Sequence, residues 1–145
     1  LGCGFQPIYK SSDDVQIDNQ YTIEIVNNVS REIAEEVQNN KSQNSDAKYK
    51  ALLKVYEDLT PLIINTNGTI AKYRIEITIN YELISLLTSE VVAESIVRGF
   101  AQYDVGTSEI NNEDTKKSMI KIATRNALQL MAAKVQSAIL QNHDN

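Results

Sequence analysis

A chain of 145 residues with 42% apolar and 23% charged side chains carries enough apolar surface to bury one core. Its net charge of −5 argues against a nucleic-acid binder, which needs an excess of Lys and Arg to displace counterions from phosphates. No stretch approaches the roughly 20 consecutive apolar residues of a membrane-spanning helix.

The chain opens Leu1-Gly2-Cys3-Gly4, and Cys3 is its only cysteine. With no second thiol there is no disulfide framework and no Cys pair for a metal. A thiol can form a stable thioether to a diacylglyceryl group. Apolar Leu1 and small Gly2 match the end of a lipoprotein signal peptide, so Cys3 is the candidate lipidation site and the candidate membrane anchor. Several acyl chains, at about 0.8 kcal/mol per buried CH₂, would hold the protein on a membrane durably. Gln6 to Gln20 is polar, acidic and without a sustained period, and residues 1–20 read as a tether.

The folded domain is expected over residues 21–142, with 143–145 as a tail. Tyr21, Ile23 and Ile25 alternate with Thr22 and Glu24, the period of a half-buried strand. Ser30 can cap a short helix through its hydroxyl, with Glu32, Glu35 and Glu36 near the positive end of the dipole and Ile33 and Val37 on one face. Gln38 to Asp46 is Asn-, Gln- and Ser-rich and reads as a mobile loop.

Three strands follow. Tyr49, Ala51, Leu53 and Val55 alternate with Lys50, Leu52 and Lys54, and the segment continues to Ile64 with Pro61 marking an edge or a bend. Asn67-Gly68 is a hairpin signal because both residues tolerate the positive φ of a type I′ turn. Beyond it, Tyr73, Ile75, Ile77, Ile79, Tyr81 and Leu83 face one way and Arg74, Glu76, Thr78, Asn80 and Glu82 the other. A reversal near Thr88-Ser89 leads to a third strand, in which Val91, Ala93, Val97 and Ala101 oppose Glu94, Arg98 and Gln102. Asn112 then reads as the N-cap of a long helix whose stripe is Ile120, Ala123, Ala127, Leu130, Met131, Val135 and Ala138.

The order β-α-β-β-β-α, with short links between the last three strands, predicts an α+β two-layer sandwich. Its mixed four-stranded sheet has two helices on one face. The other face is expected to be a polar surface built from Arg74, Thr78, Asn80, Arg98 and Gln102.

Catalytic chemistry is not expected. The one histidine, His143, sits near the chain's end, where neither a Ser-His-Asp set nor a zinc site can be assembled around it. Glu113-Asp114 fits a helix start and Asp13-Asp14 the tether. Only a closed pocket holding Glu76, Glu82 or Glu94 together would favour a hydrolase. No cofactor or metal is implied.

The segment Leu1-Gly2-Cys3-Gly4-Phe5-Gln6-Pro7-Ile8-Tyr9 resembles the mature start of the LPS-assembly lipoprotein family LptE, also called RlpB, in its alphaproteobacterial form. Thr69 to Leu83 is similar to the family's central hairpin strand, Glu90-Val91-Val92 and Ala101 to Val105 to its next strand, and Arg125-Asn126-Ala127-Leu128 to its closing helix. The stretch from Gln38 to Ala47 has no counterpart, and Ile110-Asn111 stands where the family often has Tyr-Ala.

The resemblance implies a non-enzymatic outer-membrane subunit, lipid-anchored through Cys3. Such a subunit plugs and helps assemble the LptD barrel and assists lipopolysaccharide on its way to the outer leaflet. Lys72 and Arg74 would then meet lipid A phosphates, and Thr78, Asn80, Arg98 and Gln102 would face the partner in a wet lumen. A different periplasmic lipoprotein adaptor, such as an activator of a peptidoglycan synthase, would also suit a tether and an open sheet.

Overall fold

The computed structural model describes residues 21–40 and 46–144, residues 143 and 144 by backbone only. Cys3, the tether, His143's side chain and residues 41–45 of the expected loop lie outside what it describes.

Six elements follow in the expected order: β1 (Tyr21–Ile25), α1 (Arg31–Asn39), β2 (Tyr49–Ile64), β3 (Ile70–Ser85), β4 (Val91–Asp104) and α2 (Glu109–Asp144). They form one four-stranded sheet in the order β1-β2-β3-β4. The first pair is parallel, since α1 must carry the chain back across the sheet, and the hairpin-linked pairs are antiparallel.

The two-period pattern places Ile75, Ile77, Ile79, Tyr81 and Leu83 on the covered face, each at most 4% exposed. Burying each is worth about 2 kcal/mol. Ala51, Leu53, Val55, Val97 and Tyr103 extend this face, and α2 closes it with Ile120, Ala123, Ala127, Met131, Val135 and Ile139. Tyr73 and Tyr103, opposite each other across β3 and β4, stack at 5.6 Å on the same face.

Where α2 crosses β4 it meets Gly99. A Cβ there would overlap the Ala123 carbonyl oxygen and come within 2.6 Å of the Ala127 amide nitrogen. Glycine lets helix backbone touch strand backbone.

Several details depart from the sequence reading. The hairpin is not type I′, because Gly68 has φ +89° while Asn67 does not have positive φ. Gly68 N–H donates to the Asn65 carbonyl and Asn65 N–H to the Thr69 carbonyl, a three-residue loop closed by a left-handed glycine. The extra residue suits the register shifts near Pro61 and Ile63. Pro61 lies where β2 has outrun β1, on a sheet edge where its missing N–H costs no ladder bond.

Ser30 does occupy the N-cap of α1, but its hydroxyl makes no cap bond. Asn112 is not a cap, since α2 already begins at Glu109. The Ser108 hydroxyl accepts from Asn111 N–H instead, while the Asn112 amide clamps both backbone groups of Gly106 at 2.7 and 2.9 Å. Leu130 is 52% exposed and Leu128 takes the buried position in the stripe. A bulge after Leu83 pairs Val91 with Ile84 and turns it to the uncovered face, away from Ala93 and Val97.

Candidate functional site

The face of the sheet opposite the helices carries the side chains that sequence singled out. No described element covers it. Strand register arranges it as a grid running from β2 across β3 to β4. The rows are Leu52-Glu82-Glu94, Lys54-Asn80-Ile96, Tyr56-Thr78-Arg98, Asp58-Glu76-Phe100 and Thr60-Arg74-Gln102, ending on the pair Lys72-Asp104. Lys72, Arg74, Thr78, Asn80, Arg98 and Gln102 therefore share one surface, with Thr78 directly beside Arg98 and Arg74 directly beside Gln102.

This surface is not the uniformly polar one expected. Tyr56, Ile96 and Phe100 are each close to half exposed on it, and Leu52 is half-buried. Alternation on β4 also places Ile96 and Phe100 in the row of Arg98, which a reading confined to the charged residues of that strand passed over. Such a mixture of aromatic, aliphatic and charged groups is typical of protein interfaces.

Electrostatics divide the face into zones. Arg98 turns to Glu76 at 3.1 Å, Lys50 pairs with Glu24 at 2.6 Å, and Lys72 reaches Asp104 at 3.6 Å. These pairs are solvent-exposed and contribute little stability each. The Arg74 guanidinium lies over the Phe100 ring, 5.4 Å from its centre, and its buried Nε has no hydrogen-bond partner. Glu82 and Glu94 stand directly opposite each other with no cation in bonding range among the described residues. Next to them the Asn80 side-chain oxygen is buried and unpartnered. These groups line an open groove of about 570 Å³ together with Val26, Leu52, Lys54 and Ile96. Glu76, engaged with Arg98, is not part of it.

The hairpin arm is the second feature. From Tyr56 onward no residue of β2 is buried, and Leu62, Ile63 and Ile64 expose 40–62% of their surface near the turn. Lys72 and Arg74 sit at the base of this apolar tip. No described helix is long and apolar enough to cross a membrane.

No protein-family model matches the chain, and no curated protein does either. Solved structures do. A candidate lipoprotein from Caulobacter crescentus CB15 matches with a TM-score of 0.67 at 11% identity, over 90% of this chain and 97% of that one. Rare lipoprotein B from Shewanella oneidensis matches with a TM-score of 0.56 at 12% identity, over 88% and 98%. This chain has the rare-lipoprotein-B fold. An uncharacterized lipoprotein B from Nitrosomonas europaea shares that fold, with a TM-score of 0.58 at 12% identity over 85% and 87%. At such identities the likeness is one of fold alone.

Proposed function

We propose that this protein is an LptE-type lipoprotein of the alphaproteobacterial kind. It is a non-enzymatic subunit, anchored in the outer membrane through acylated Cys3, that plugs and helps assemble an LptD-type barrel and assists lipopolysaccharide transport. The observation that carries the reading is the pairing of a lipoprotein-B fold with a sheet face that no described element covers along β3 and β4. The Gly2 to Tyr9 segment supports it from the other end of the chain.

The site chemistry is compatible with this role. A lumen-facing surface needs both hydrogen-bonding groups and apolar contact, and the grid supplies Thr78, Asn80, Arg98 and Gln102 beside Tyr56, Ile96 and Phe100. A phosphorylated lipid needs a cationic contact next to an apolar one. Arg74 makes no ion pair among the described residues, Lys72 holds Asp104 only at long range, and the arm beyond them exposes Leu62, Ile63 and Ile64.

Co-purification tests the partner. The tagged protein should bring down a large outer-membrane barrel, and recovery of a penicillin-binding protein in its place would favour an adaptor of peptidoglycan synthesis. Cys3→Ser should lose the acyl mass, and an unchanged mass would refute lipidation. Lys72→Ala with Arg74→Ala should weaken lipopolysaccharide binding most at low salt. Equal binding by variant and parent would remove both residues from the site.

A further inference from the structure

β4 ends the sheet, and no described element pairs with its outer side from Val91 to Asp104. Its backbone phase is fixed: Val105 N–H donates to the Ala71 carbonyl, and pairing with β3 keeps one register from Lys72–Asp104 to Leu83–Ala93. Odd-numbered residues of β4 therefore direct their backbone groups to β3, while Glu94, Ile96, Arg98 and Phe100 direct theirs outward. The Phe100 carbonyl accordingly accepts from the Asn126 side chain on α2. The same four residues set their side chains on the uncovered face, where Ile96 and Phe100 are 47% and 46% exposed. Proline, a common guard of such an edge, does not occur in β4.

Two copies of one strand, paired antiparallel about a twofold axis, match residues in a register set by the residue on the axis. Centred on Glu94 or on Arg98, the pairing sets like charges face to face. Centred on Ala101 it would match Arg98 with Asp104, but there α2 lies directly on β4, its backbone against Gly99. Strands about 4.8 Å apart cannot each carry a helix at the axis when packed helices need about 8–10 Å. Centred on Ile96, Glu94 of each copy faces Arg98 of the other and Ile96 meets itself. Other centres along β4 leave Glu94 and Arg98 facing uncharged or like-charged residues. Toward Ile96 the helix also moves off the edge: it reaches Ser95 only through the long Lys134 side chain, at 3.1 Å, and ends over β2, where the Asn142 amide donates to the Tyr49 hydroxyl.

We propose that the protein forms a twofold dimer through antiparallel pairing of β4 with β4 of a second copy, in the register centred on Ile96. The pairs Glu94–Arg98, Ile96–Ile96 and Arg98–Glu94 each exchange both backbone hydrogen bonds. The bulge at Val92 limits the ladder on one side. Arg98 keeps its Nε on Glu76, at 3.1 Å, and turns its remaining donors to Glu94 of the second copy. On the helical face, Ile122, Asn126 and Leu130 lie four residues apart, and the bond from Asn126 to Phe100 places this flank over the edge. Leu130, between Asn126 at Phe100 and Lys134 at Ser95, is 52% exposed beside the axis and faces its counterpart in the second copy. The occupant is a copy of this chain because the edge is complementary to itself in charge and in backbone phase together. The dimer does not depend on the barrel role.

The test uses the full 145-residue chain with Cys3→Ser, so that no disulfide can join two copies. Sedimentation equilibrium up to about 1 mM registers a Kd of about 0.1 mM or tighter. The parent should dimerise, and its Glu94, Ile96 and Arg98 amides should gain hydrogen-exchange protection as concentration rises. Glu94→Arg alone and Arg98→Glu alone should each weaken self-association at least about tenfold, since the first sets guanidinium groups face to face and the second carboxylates. Mixed together, the two single variants should form a heterodimer, which also shows that neither has lost its fold. Both changes in one chain should restore the homodimer.

A parent that stays monomeric over this range, a dimer indifferent to the charge exchanges, or a mixture that fails to associate would overturn the proposal. Protection of the three amides that does not vary with concentration would overturn it as well, by assigning the edge to residues 1–20 of the same chain.

Discussion

Gly99 lies directly beneath Ala123, so close that the strand carries no side chain where the helix crosses it. Adding one methyl group would force α2 away from β4 against backbone atoms that cannot rotate aside. Gly99→Ala should therefore cost about 3 kcal/mol in urea-induced unfolding. Gly68→Ala makes a useful contrast: nothing lies within 4 Å of its added carbon, and only the φ of +89° is strained. A loss of about 1 kcal/mol is expected there. Similar losses at the two positions would mean that the helix does not cross at Gly99.

Glu36 and Arg125 tie the two helices together. The carboxylate is 4% exposed and is held by Arg125 at 2.9 and 3.4 Å, with the Asn40 amide at 3.2 Å. Arg125→Ala leaves that carboxylate without its cation and should lower stability by about 2 kcal/mol. Replacing both residues by Met removes the charge and its partner together. The double variant should therefore recover most of the loss in the same denaturation experiment.

Asn27 serves as a substitute strand residue. Just past the end of β1, its amide nitrogen donates to the Val55 carbonyl at 2.9 Å and its oxygen accepts from Val55 N–H at 3.0 Å, covering a peptide group at the edge of β2. Asn27→Ala should cost about 1–2 kcal/mol. It should also speed hydrogen exchange at the Val55 amide selectively. Uniform acceleration along β2 would point to global destabilisation instead.

Stability should fall at both extremes of pH. Hydrogen bonds from Lys121, and secondarily from Arg31, hold the Glu35 carboxyl below its ordinary value of 4.5. A depressed carboxyl contributes stability that is present above the ordinary value and is lost as pH falls through the folded one. Glu35→Gln should accordingly flatten the thermal midpoint below about pH 4.5, most visibly at low salt.

At the alkaline end, burial raises the Tyr81 phenol, with a hydrogen bond to Ser95 acting against it. Burial also raises Tyr103, helped by Tyr73 and the charge of Glu113. Raised phenols contribute stability that is complete below their ordinary value of 10.0 and disappears as pH climbs through the folded value. Tyr81→Phe and Tyr103→Phe should each make the midpoint less sensitive above pH 10, and phenolate absorbance of the folded protein should show two late-titrating tyrosines.

The strands were legible because alternation is local. Ile75 to Leu83 declares which side is buried without reference to anything else in the chain, and the grid of Thr78, Asn80, Arg98 and Gln102 follows once β3 and β4 pair. What could not be read had a long-range cause. Asn112 looks like a cap by its neighbours, but the chain leaving β4 uses its amide to hold Gly106 and starts the helix four residues sooner. Leu128 and Leu130 are equal candidates by composition, and the contact at Gly99 sets the helix phase that buries the first. No local signal ties Glu36 to Arg125, 89 positions away.

Sequence by itself determined the element order, the buried row of each central strand, the side that would stay polar enough to face water, and the anchor at Cys3 as an expectation. These depend on side-chain period and residue chemistry, which are properties of short segments. Only the tertiary structure decided which charges meet. The length of the turn before β4 and the bulge after Leu83 set a register that brings Glu82 against Glu94 and leaves the Asn80 oxygen unpaired, whereas Arg98 two pairs along finds Glu76. A single-residue slip would exchange the faces, so the groove exists through register rather than through composition.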